Sequence, residues 1–93
     1  MVIGVLSLEL RIPGNRSLKG KRAVVSRIKA RLRNRFNIAI AEVGDNDVWG
    51  RAVIGVSTVS TDTGHAHGIL TGVVKLVDAM GTVEILDYSI DML

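Results

Sequence analysis

Val2, Leu6, Leu8, Leu10 and Ile12 fall on one side of an extended chain, with Gly4 among them, while Ile3, Val5, Ser7, Glu9 and Arg11 fall on the other. A period of two sustained over this length commits the segment to a strand with one well-buried face. Pro13-Gly14-Asn15 then turns the chain.

The period changes after Ser17, a good N-cap for a helix reaching about Arg35. Val25, Ile28 and Leu32 form its apolar seam, flanked by Leu18 and Val24. Ile38–Val43 reads as a short strand, Gly44-Asp45-Asn46-Asp47 as a turn, and Trp49–Ser60, rich in β-branched residues, as a longer strand. A second helix starts near Asp62, buries Ala66, Ile69, Leu70, Val73, Leu76, Val77 and Met80, and stops at Gly81. Thr82–Met92 alternates again, with Leu86, Tyr88, Ile90 and Met92 on one side.

The order β-α-β-β-α-β, with right-handed crossovers, predicts one α+β domain of the ferredoxin-like plan over residues 1–93: an antiparallel four-stranded sheet with both helices on one face. The other face is left open. Ile3, Val5, Val83 and Ile85 are expected there, beside Ser7, Glu9, Asp87 and Ser89. Apolar members on an uncovered face suggest an interface, most simply with a second copy as a homodimer.

Ninety-three residues, 47% of them hydrophobic, suffice for one modest core. No apolar run is long enough for a membrane span, and the first residues lack the features of a signal peptide. With no cysteine there is no disulfide, thiolate metal site or cysteine nucleophile. A cytoplasmic chain is the expectation.

"VIGVLSLELRIPGNRSLKGKR", "LRNRFNIAIAEVGDNDVWGRAVIGVSTVS" and "LDYSIDML" together resemble the YlxP-like bacterial proteins, a family of unknown function. The resemblance spans essentially the whole chain. It implies a ferredoxin-like fold and, because the family's genes often lie beside those for translation initiation and ribosome-binding factor A, a link to ribosomes or RNA. It supplies no catalytic residues and no cofactor. Where the family usually has Glu, this chain has Gly20. That glycine removes the partner of Ser17 in a capping box and the one acid in a basic run.

The basic run is the strongest functional signal. Net charge is only +3, yet ten of the twelve Lys and Arg residues lie between Arg11 and Arg35, with no acid between Glu9 and Glu42. On a helix, Lys19, Arg22, Lys29 and Arg33 make one stripe, and Arg16 precedes it. Lys21, Arg27, Arg31 and Arg35 edge the apolar seam, where long stems can cover aliphatic surface while the charge stays wet. A solvated face normally mixes both signs at i and i+4, because like charges there repel. The unmixed stripe points to a polyanion, and Arg16, Lys19, Arg22, Lys29 and Arg33 are the candidate contacts to RNA or ribosomal phosphates.

Other constellations carry less. Phe36 and Tyr88 read as core; Trp49 is the one aromatic available for stacking, although a Trp packed at a strand end is the plainer reading. His65 and His67, two apart on a helix, face about 200° from each other and do not converge on a metal. Glu42, Asp45 and Asp47 read as turn chemistry. Gly64, Gly68 and Gly72 suggest a close helix approach. Acylphosphatases share this size and layout, but Arg-Ile-Pro-Gly-Asn15-Arg16-Ser does not resemble their phosphate-cradling loop. No nucleophile, base or metal set converges, so the expected role is non-catalytic.

Overall fold

Side-chain oxygens open both helices. Ser17 Oγ accepts from Gly20 N at 3.0 Å and an Asp62 carboxylate oxygen accepts from His65 N at 2.7 Å, so each caps one of the N–H groups that a helix start leaves free. In the computed structural model, which describes residues 1–93, the elements run β1 (Val2–Arg11), α1 (Leu18–Arg35), β2 (Ala39–Gly44), β3 (Arg51–Ser60), α2 (Thr63–Met80) and β4 (Glu84–Met92). Gly81 ends α2 with φ 69°, a left-handed conformation that glycine adopts without strain.

The strands form one antiparallel sheet in the order β2-β3-β1-β4. This is the expected ferredoxin-like arrangement. Leu6, Leu8 and Leu10 of β1 face Val56, Ile54 and Ala52 of β3, and all three leucines are fully buried. Val25, Ile28 and Leu32 of α1 and Leu70, Val73 and Val77 of α2 close over them in one core. Two glycines let the layers meet. A Cβ at Gly4 would lie 2.9 Å from Leu70 Cδ1, and one at Gly72 would lie 3.0 Å from the Phe36 ring. Gly68 has open space around it, so of the glycines spaced along α2 only Gly72 serves a close approach between structural layers.

β4 departs from the expected alternation. Glu9 pairs with Asp87 but Leu10 pairs with Ile85, which leaves Leu86 as the extra residue of a bulge. The parity of the strand flips there. Tyr88, Ile90 and Met92 lie opposite Leu8, Leu6 and Gly4 on the helix side, and so does Ile85, opposite Leu10. Val83 is buried in the core and Ile85 packs against it. Neither lies on the open face; Leu86 is exposed, and Tyr88, expected in the core, is 50% exposed on the outer strand β4. No helix is long and apolar enough to cross a membrane.

Candidate nucleic-acid interface

The face presented by α1 is set by its seam. Lys21, Val25, Ile28 and Leu32 are its buried residues, spaced four, three and four apart. Lys21 therefore occupies a core position, not an edge of the seam. Its ammonium donates to Val48 O at 2.8 Å and to Asp45 O, and lies 2.7 Å from Glu42 Oε2. No other donor reaches that carboxylate oxygen, so the ammonium is its one polar neighbour. Glu42 sits on β2 opposite Ile54, on the helix side of the sheet. The expectation of a wet Lys21 and a turn-only Glu42 is thus overturned: they form a buried pair that ties α1 to the β2–β3 hairpin.

The remaining cations behave differently. The chain's ion pairs are Lys21–Glu42 and an exposed Arg11–Glu84 contact at 3.0 Å. Arg16, Lys19, Arg22, Arg27, Lys29, Arg31, Arg33 and Arg35 have no acid within 4.0 Å. Of the five candidate contacts, Arg16, Lys19, Arg22 and Arg33 are exposed and Lys29 is half-buried. Arg33 Nη2 also reaches Ile40 O at 3.4 Å, which places this row along the β2 side of α1. A second row runs along the other flank. Arg27 and Arg31 border a hollow with Val24, Ile28 and Met80, and Arg35 borders another with Phe36, Leu76 and Lys75 of α2. The spacing of four between these arginines is visible in the sequence; that they form a flank of their own follows from which face of α1 the core takes.

Trp49 lies in the turn ahead of β3, not packed at a strand end, and is 54% exposed. Its carbonyl accepts from Asn15 Nδ2 at 2.7 Å, and the same amide donates to Ser17 O at 2.8 Å. Gly20 makes room for this amide, since a Cβ there would collide with Asn15 Oδ1. The missing capping-box glutamate is therefore coupled to a different local contact.

The open sheet face keeps Ile3 and Val5, both half-buried, from the expected set. It gains residues beyond that set: Val53 and Val59 of β3, and Ala39, Ala41 and Val43 of β2. Val43 and Val59 are each 61% exposed. The β4 flank is acidic, with Asp87 and Asp91 opposite Glu9 and Val5. The histidines diverge, His65 Nδ1 meeting Ser60 Oγ at 3.0 Å and His67 Nδ1 meeting Thr71 Oγ1 at 3.4 Å.

Residues 3–90 match a family described as "Protein of unknown function (DUF503)". The chain belongs to the DUF503 family. It is 36% identical over 83 residues to the uncharacterized protein YlxP of Bacillus subtilis (strain 168), covering 89% of this chain and 90% of that protein. The DUF503 chain is also similar in fold to a de novo designed protein, Foldit4, with a TM-score of 0.51 and 13% identity over 98% of this chain and 96% of that one. That likeness concerns the fold alone.

Proposed function

We propose that this DUF503 domain is a non-catalytic RNA-binding protein, acting on free RNA or on the ribosome, that holds the phosphate backbone through α1. The observation that carries the reading is the set of eight cations from Arg16 to Arg35 with no acid within 4.0 Å. Like charges four apart on a helix repel, so a folded domain retains such a row at some cost in stability. A polyanion relieves that repulsion and gains the free energy of counterion release. Arg16, Lys19, Arg22, Lys29 and Arg33 make the phosphate contacts.

The test is fluorescence anisotropy of a labelled single-stranded RNA across a salt series. If four phosphates are engaged, log K should fall with log salt at a slope near about −3. The double variant Arg22→Glu/Lys29→Glu should weaken binding to all sequences alike. Binding that survives both this charge reversal and high salt overturns the reading.

A second reading rests on the open sheet face. Ile3, Val5, Val43, Val53 and Val59 form an aliphatic strip with Ala39 and Ala41, broken at its middle by Ser7, Gly55 and Ser57. A second copy is the occupant it fits, since the same flat aliphatic surface would come from both sides and leave every α1 cation outside. Light scattering should then give a dimer that Val59→Lys converts to monomer. A monomeric parent chain at high concentration removes this reading and leaves the first intact.

A further inference from the structure

Trp49 is the chain's only tryptophan, and more than half of it faces solvent, beside Val48 at 44% exposure. Burying an indole is among the larger gains a small domain can make, and this fold forgoes most of it. The surrounding backbone is nevertheless held from several directions. Lys21 grips the carbonyls of Asp45 and Val48, Asn15 grips that of Trp49, and Ile12 N donates to Gly50 O at 2.8 Å. Val48 N closes the turn onto Asp45 O at 3.0 Å. The backbone around the ring is fixed before any ligand arrives.

The same end of the molecule is cationic. Asn15, which holds Trp49, is followed by exposed Arg16; Lys19 lies in the first turn of α1, which has no acid, and Arg51 opens β3 two residues beyond Trp49. Arg51 forms no ion pair. Asp45 and Asp47 occupy the hairpin tip, so an anion is favoured toward Arg16 and Lys19, which flank the Asn15–Ser17 contact, and disfavoured toward the tip. An aromatic face with fixed backbone beside flexible cations is how proteins hold single strands, the base stacking while its phosphate is neutralised.

From this we infer that Trp49 is a stacking platform for an unpaired nucleobase, with Arg16 and Lys19 on the adjoining phosphate. The inference rests on the RNA-binding reading and narrows it to single-stranded RNA, because a base inside a duplex offers no free face. Affinity then divides between two parts, a salt-sensitive one along α1 and a salt-insensitive one at Trp49.

The experiment uses the full chain with two probes: a fluorescein-labelled oligouridine of about a dozen nucleotides, and inorganic polyphosphate, which has charge and no bases. Oligouridine should quench the Trp49 emission; polyphosphate should bind without the same quench. Trp49→Ala should lower oligouridine affinity about tenfold or more, while the salt slope and the polyphosphate affinity stay as in the parent chain. Trp49→Phe should retain most of the affinity, and circular dichroism of both variants checks the fold. Oligouridine binding that is unchanged in Trp49→Ala overturns the stacking role and leaves phosphate binding by α1 standing. An absence of oligouridine binding to the parent chain overturns both.

Discussion

Replacing Lys21 by methionine should cost this domain about 3–5 kcal/mol. Methionine keeps much of the stem, so the loss is electrostatic rather than a cavity. The Lys21 side chain is 1% exposed and that of Glu42 is 15% exposed, so removing the ammonium strands a nearly buried carboxylate whose Oε2 has no other donor. The carbonyls of Asp45 and Val48 also lose this donor, although Asp45 O keeps its bond from Val48 N. A stranded charge costs more than a carbonyl short of one donor, so Glu42 dominates the loss. Adding Glu42→Leu to Lys21→Met should recover most of the loss, because replacing both members of a buried pair with apolar groups is often neutral or better. Urea denaturation followed by circular dichroism measures all three variants, and against a typical total of about 5–15 kcal/mol the single-variant loss is easily resolved. Trp49 emission, read in parallel, should show the hairpin loosening. A Lys21→Met variant that loses less than about 1 kcal/mol, or a double variant no more stable than the single, would refute the idea that this ammonium sustains Glu42 in the core.

Two further substitutions probe the glycines that take part in packing. Gly72→Val should displace Phe36 and cost about 1–3 kcal/mol, since even the Cβ lies 3.0 Å and 3.2 Å from two ring carbons; thermal melts should show this, with Gly68→Val, where nothing lies within 4 Å, as the milder control. Gly20→Glu should leave stability within about 1 kcal/mol, because gains in helix propensity and capping offset the loss of the Asn15 contacts. It should nonetheless free Trp49, raising amide exchange across residues 48–50, and an unchanged exchange pattern would contradict the Asn15 latch.

The fold was legible because strong, separate signals agreed. β1 alternates cleanly, both helices carry N-cap side chains, and Gly81 marks a helix end. The site was legible only as a concentration of charge. The Lys21–Glu42 pair escaped because composition treats both residues as surface, although each occupies a position that pattern assigns to the core: Lys21 is four residues before Val25, and Glu42 is two after Ile40. The bulge at Leu86 left no mark, since Val83-Glu84-Ile85-Leu86 supports either parity and the choice is made by pairing with β1. The aliphatic strip was half visible. Ile3 and Val5 could be read from β1 alone, whereas Val43, Val53 and Val59 join them only once the register across three strands is known.

The strand order has one electrical consequence. α1 lies toward β2 at one margin of the sheet, while Glu84, Asp87 and Asp91 line β4 at the opposite margin. Opposite charges at opposite margins give the molecule a lasting dipole moment that a net charge of +3 conceals. In the field of a long polyanion the domain experiences a torque as well as a pull: α1 leads, β4 trails, and rotational search is shortened before any contact forms.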